Sequence, residues 1–290
     1  VGRFFATAGE SPTLTDLWEV ELGSGHLLAY RLTTTQRIGG IAGCASAVTV
    51  ANADRTVGFF DTLETFDAGT FSPIAGLADP KASAPAVAPD CRLVFDRFDR
   101  RTDPPTDHLV LFDPAEKTER ELFSPGDATK VLGTADWGPG GRVAVFEGTA
   151  ATEGHPTVAT GIVIIGPDGK VSRVPSPVTG FGNLQWGASS WMAISDESND
   201  RTVFLNPDSG ARAELAGWLP LAWSPDGQHL MVTDPGTRRT LGVVDASTLN
   251  RARVVGRTKK AAFYDLVWLP GTATAGGPLP MLPRRPDDGD

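Results

Sequence analysis

The 290-residue chain is poor in the groups that mark a metal module: it has two cysteines and four histidines. No Cys-x-x-Cys and no zinc-ligand spacing occurs, which excludes a zinc module of that kind. Only His108 and His155 fall close enough in the pattern to share a metal, and no metal or cofactor is expected. No apolar run approaches the roughly 18 residues that a spanning helix needs, so no membrane span is expected. Positive charge is also short: the net charge is −9, and nucleic acid, which needs a basic face, is excluded as the main partner. Reaction signatures are missing as well. There is no Gly-x-Ser-x-Gly elbow, His-Glu-x-x-His, P-loop or calcium-loop pattern, and Gly180-Phe-Gly182 has no third glycine or βαβ context. No leader is visible at Val1, which says nothing of compartment.

What the chain does have is a repeat. With 40% hydrophobic and 21% charged residues, it has ample material for a core, and closed all-β folds of this length run as one domain. Leu221 to Trp223 is a short apolar strand. Ser224-Pro-Asp-Gly227 is a turn in which proline pre-sets φ and glycine accepts a positive one, and Leu230 to Thr233 runs back. A second hairpin follows from Leu241 to Val255. The pattern recurs, more or less degraded, at Ile41–Val50, Ser83–Phe95, Ala135–Phe146, Leu184–Ser195 and Tyr264–Gly271. The anchors Val87, Trp137, Trp186, Trp223 and Trp268 stand 50, 49, 37 and 45 residues apart. Six outer hairpins are expected, from Leu17, Val57, Leu109, Gly161, Val203 and Leu241. Four short strands per repeat make a propeller blade.

The fold class expected is therefore all-β, one six-bladed β-propeller over residues 1–275. The chain starts with a second strand at Phe4–Ala8 and ends with a first strand at Phe263–Leu269. The C-terminal strand should then complete the N-terminal blade and remove the open edges. Residues 276–290, rich in proline and acid, are expected to be a disordered tail. The repeated tryptophans are expected between blades. Trp218 lies off the repeat and is expected to face solvent.

Trp223-Ser-Pro-Asp-Gly227 matches fully, and Pro89-Asp90, Gly138-Pro-Gly-Gly141 and Leu269-Pro-Gly271 match in part, the motif of a known repeat. The chain resembles the TolB propeller family with its bacterial WD40-like repeat. That resemblance implies a six-bladed propeller in an extracytoplasmic protein (periplasmic, secreted or lipid-anchored) that works by binding other proteins. The Gly-His and Trp-Asp pairs of eukaryotic WD40 blades are missing. The turn also lacks the residue between Asp and Gly that a sialidase Asp-box needs.

Fold does not carry function, so candidate residues are sought in the connections. Two between second and third strands are long, 96–107 and 147–160, and belong to neighbouring blades. Arg100 and Arg101 are forks for carboxylate or phosphate, with Asp99, Asp103 and His155 beside them. Phe181, Trp218, Lys259 and Tyr264 are placed at the central mouth, where they suit a peptide, a sugar ring or an anion. Asp99, Asp103, Asp136 and Glu147 are the carboxylates that could converge for glycoside hydrolysis. Cys44 and Cys91 fall near the first turns of adjacent blades and form either a disulfide or two buried thiols. The function expected is non-enzymatic recognition of a protein or peptide through the long-loop face. The alternatives are a hydrolase or lyase with acidic residues in the mouth, and a small-ligand or carbohydrate binder. An enzyme would show a water-reachable carboxyl pair of raised pKa.

Overall fold

The structure, a computed structural model, describes residues 3–11, 14–22, 27–34, 38–44, 47–52, 61–67, 70–99, 106–151, 157–259 and 261–269. Its strands form six blades in a ring. Blade 1 holds β1 (Arg3–Ser11), β2 (Leu14–Leu22) and β3 (Leu27–Arg31). Blade 2 holds β4 (Ile38–Cys44), β5 (Ala47–Asn52), β6 (Asp61–Asp67) and β7 (Thr70–Pro73). Blade 3 holds β8 (Lys81–Val87), β9 (Leu93–Asp99), β10 (Thr106–Asp113) and β11 (Thr118–Phe123). Blade 4 holds β12 (Lys130–Gly138), β13 (Arg142–Thr149), β14 (Val158–Ile165) and β15 (Val171–Pro175). Blade 5 holds β16 (Leu184–Gln185), β17 (Met192–Asp196), β18 (Arg201–Leu205) and β19 (Arg212–Ala216). Blade 6 holds β20 (Leu219–Trp223), β21 (His229–Thr233), β22 (Thr240–Asp245) and β23 (Ala252–Arg257). The last strand, β24 (Ala262–Trp268), pairs antiparallel with β1, Phe4 opposite Trp268 and Ala6 opposite Leu266, and closes the ring as expected.

The near-continuous apolar strands are explained by burial on both faces. Successive side chains of a strand point to opposite sides. Phe4 accordingly joins the core against blade 6, with Leu221 and Met231, while Phe5 joins the core against blade 2, with Ile41 and Val50. Val143 and Val145 pack toward blade 3, and Ala144 and Phe146 toward blade 5. Six such clusters are found, one at each blade interface.

The repeated tryptophans belong to these interfaces. Trp137 and Trp223 are buried, and each indole Nε1 donates to the inner strand of the preceding blade, to the Ala86 carbonyl at 3.3 Å and the Gln185 carbonyl at 3.1 Å. Trp186 is fully buried, its ring stacked on the backbone of Gly138, where a Cβ would fall inside the indole. The Arg142 guanidinium covers that ring at 4.7 Å. In the turn of blade 6, Gly227 has φ 68° and its N–H donates to the Ser224 carbonyl at 2.8 Å. Asp226 fixes the turn by accepting from Ser224 Oγ at 2.5 Å and Gln228 N–H at 3.0 Å. Cys91 fills the equivalent of the Gly227 position in blade 3, with φ 68°. It is joined to Cys44 of blade 2 by a disulfide, Cα–Cα 5.3 Å.

Several expectations are corrected. Much of 96–107 and 147–160 is strand, not loop: Asp99 pairs with Thr106, and Thr149 with Val158, leaving connections of residues 100–105 and 150–157. The charges that disguised these segments are matched across the sheet. Arg97 meets Glu119 at 2.6 Å, and Glu147 meets Lys130 at 3.4 Å and Arg173 at 3.3 Å. The third strand of blade 2 is Asp61–Asp67, burying Leu63 and Phe66; residues 57–60, expected to carry that hairpin, lie outside the described residues. So does the segment 276–290.

Candidate functional site

The inner strands of all six blades surround a central cavity of about 1170 Å³. Its width follows from what the inner strands carry: Gly39, Gly40, Ala42 and Gly43 on β4, Ala84, Ala86 and Ala88 on and after β8, and Gly133 and Ala135 on β12. Small side chains leave the axis unfilled. Chain direction defines two faces. The first-to-second turns, such as 224–227, open on the lower face. The second-to-third connections and the links between blades open on the upper one. A second hollow of about 400 Å³ lies on the upper face, lined by Thr7, Thr15, Glu197, Thr237, Arg238 and Tyr264 among others, and shares Gly39, Tyr264 and Asp265 with the central cavity. It is the vestibule of the channel.

The vestibule is built by the 234–239 turn. Asp234 accepts from Thr237 N–H at 2.8 Å, Thr237 Oγ1 at 2.7 Å and Thr240 N–H at 2.6 Å. Burial works against its charge, but these donors prevail and hold its carboxyl down at about 2. The turn places Arg238, at φ 55°, over the Tyr264 ring at 5.3 Å and against Glu197 at 3.0 Å. The Arg238 carbonyl accepts from Phe263 N–H at 2.7 Å, tying the turn to β24.

Carboxyls dominate the polar lining of the channel. Asp136 accepts from Trp137 N–H at 2.8 Å in its own blade and from Trp186 N–H at 2.6 Å in the next. Asp265 does the same between blades 1 and 2, accepting from Leu266 N–H at 2.8 Å and Ile41 N–H at 3.2 Å. Each is a brace between neighbouring inner strands. Both lie deep in the protein yet touch the cavity. Burial pushes Asp136 up to about 6 against its backbone donors. It pushes Asp265 up to about 7, with the charge of Asp136 acting in the same direction. Asp61, also on the wall, is raised by burial.

The sequence candidates are scattered over this frame. Tyr264 is at the vestibule as expected, and half-buried Phe181 lines the channel. Phe181 is also core: its ring lies 5.8 Å from Phe146 and fills the space over Gly133 and Gly148. Trp218 does not face solvent. It is half-buried in the interface of blades 5 and 6, its ring against Gly242 and Val232, where a Cβ on Gly242 would approach it to 2.9 Å. A tryptophan before a strand can reach back over a glycine, which the linear pattern did not reveal. Lys259 is exposed and lines neither hollow. Arg100, Arg101, Asp103 and His155 lie outside the described residues, as does the side chain of Asp99. Asp136 and Glu147 do not converge, since Glu147 is held in ion pairs away from the channel. His108 is bound to Glu121 and Thr106, each at 2.7 Å. Among the described residues no three metal-ligating side chains cluster, and no helix is long and apolar enough to cross a membrane. Asp265 and Arg238 were missed. The only signal for Asp265 was a charge in an otherwise apolar inner strand.

No family model and no curated protein matches the sequence. Solved structures do match in shape. The chain is similar to a chain in a crystal structure of a nidogen/laminin complex, with TM-score 0.61 and 16% identity over 91% of this chain and 97% of that one. It is similar to TolB from Acinetobacter baumannii, with TM-score 0.62 and 17% identity over 92% of this chain and 66% of that one. It thus spans slightly under two thirds of that TolB chain. At such identities the likeness shows the fold: a six-bladed β-propeller similar to that of TolB.

Proposed function

We propose that this chain is a non-enzymatic, extracytoplasmic propeller that binds a protein or peptide partner on its upper face. The observation that carries this reading is the vestibule, a hollow on that face with polar walls contributed by four blades and continuous with the channel. The paired strand ends Asp99/Thr106 and Thr149/Val158 reach the same face on adjacent blades, and the sequence that joins them carries Arg100, Arg101, Asp103 and His155. The Cys44–Cys91 disulfide supports an oxidising compartment. The matched chain of similar fold was solved within a nidogen/laminin complex, an analogy for a propeller engaged in a protein assembly. The test is affinity capture from the envelope fraction of the source organism, with the chain as bait and Arg100→Ala/Arg101→Ala as control. Trp218 stays in place because its ring is packed. A partner retained by the first bait and lost by the second is expected; two empty columns would refute the reading.

A second reading has its own support. Asp136 and Asp265 are a carboxyl pair of raised pKa that reaches the cavity, which a hydrolase or lyase requires. Against it, both carboxyls are already engaged by backbone donors as braces. Turnover of a glycoside that is abolished by Asp265→Asn would favour this reading over the first.

A further inference from the structure

We propose that the partner presents an extended basic segment, with spaced lysine or arginine side chains, which enters through the vestibule into the central channel. This rests on the partner-binding reading and adds the chemistry of what is bound. Three of the five aspartates on the wall carry the argument. Asp61 stands at the upper end, its carboxylate against Gly39; Asp265 is at the middle of β24; Asp136 is next to Trp137, toward the lower end. Among the described residues no lysine or arginine pairs with any of them, and Asp136 and Asp265 are held by backbone N–H groups alone. The one basic side chain on the described wall, Arg92, is occupied by Asp90 at 2.9 Å and by the Trp137 ring at 5.1 Å.

Uncompensated like charges around a cavity with poorly polarisable walls repel one another, and the field they focus favours a cation. At Asp265 burial raises the proton affinity first, and repulsion from Asp136 adds to it. An ammonium or guanidinium relieves that repulsion at neutral pH. The glycine and alanine walls leave room for a backbone as well as side chains in about 1170 Å³, and an extended chain advances about 3.3 Å per residue, so alternate basic residues could meet successive carboxyls. At the entrance, Arg238 is neutralised by Glu197 at 3.0 Å and does not bar a cation.

The test is fluorescence anisotropy of a labelled Gly-Lys-Gly-Lys-Gly-Lys-Gly peptide with the whole chain at pH 7.5 and low salt. The same peptide with acetylated lysines is the charge control. Binding is expected for the free-lysine peptide and should weaken about tenfold or more in Asp61→Asn/Asp265→Asn. Glu116→Gln/Asp168→Asn, which removes the same charge from exposed lower-face turns, should leave it unchanged. Should the first double variant fail to fold, Asp136→Asn alone serves the same comparison. The proposal is overturned if the peptide does not bind, if the acetylated peptide binds equally, or if both double variants weaken binding alike, since that marks attraction to the overall charge of −9. A captured partner with no peptide binding removes this proposal and leaves the partner-binding reading standing. Peptide binding with no captured partner supports the channel's choice of a basic segment and counts only against a partner in the envelope fraction.

Discussion

Replacing Asp265 by asparagine should change the sign of its effect on stability between acid and alkaline pH. The folded chain holds the Asp265 proton up to about pH 7, against an ordinary value of 3.8, because the carboxylate is buried and faces the charge of Asp136. The folded state therefore binds this proton more tightly than the unfolded chain. Its contribution to stability is complete below about pH 4 and is lost as the pH rises through about 7. Three powers of ten in proton affinity correspond to about 4 kcal/mol. Contact with cavity water and sharing of the repulsion with Asp136 reduce this to about 2–3 kcal/mol for the single site. Asparagine abolishes the ionisation but keeps one acceptor oxygen where two now serve Leu266 and Ile41, a loss of about 1 kcal/mol. The balance is a gain of about 1–2 kcal/mol at pH 8 and a loss of about 1 kcal/mol at pH 5. At roughly 2 °C per kcal/mol for a chain of this size, the melting temperature should rise by about 3 °C at pH 8 and fall by about 2 °C at pH 5. Thermal melts of both proteins from pH 5 to 8, without reductant, measure this. Parallel curves for the two proteins would refute the account of Asp265 as a buried carboxyl raised by its surroundings.

Other outcomes follow from the same structure. Trp186→Ala empties a fully buried indole site between blades 4 and 5 and should cost about 3–5 kcal/mol, read as a fall in the denaturant midpoint; a change below 1 kcal/mol would contradict the inter-blade role. Reducing Cys44–Cys91 opens a link across 47 residues, worth about 4 kcal/mol in the chain-entropy treatment; an unchanged midpoint in reductant would count against it. Asp234→Ala removes three donors' acceptor and should cost about 1–2 kcal/mol at pH 7. Because the folded value lies near 2, that contribution is present above about pH 4 and disappears as the pH falls toward 2, so acid melts of the variant and parent should converge.

The frame of this molecule was readable because each blade repeats the same chemistry. Trp223-Ser-Pro-Asp-Gly227 names its own turn through proline, glycine and the Asp226 cap, and the tryptophan spacing counts the blades. Charged strands were harder to recognise. Asp96 to Asp99 looks like a loop until Arg97 is seen to meet Glu119 on β11, a pairing that only the register supplies. The site was legible in outline: Tyr264 and Phe181 were placed at the channel, and Asp136 was named among candidate acids. Its geometry was hidden, because Asp265 meets Ile41 across 224 residues and Arg238 is brought over Tyr264 by a turn fixed at Asp234. Trp218 failed as a solvent-facing residue for the same reason: its partner, Gly242, lies on another strand. Long-range placement, and not local preference, decided each of these.

The most direct test of the partner-face account is hydrogen exchange of the chain, free and bound to its captured partner. Protection is predicted on the upper face, at 234–239, 261–264 and the strand ends Asp99, Thr106, Thr149 and Val158, with the lower turns 139–141 and 224–228 unchanged. Protection confined to those lower turns would contradict it.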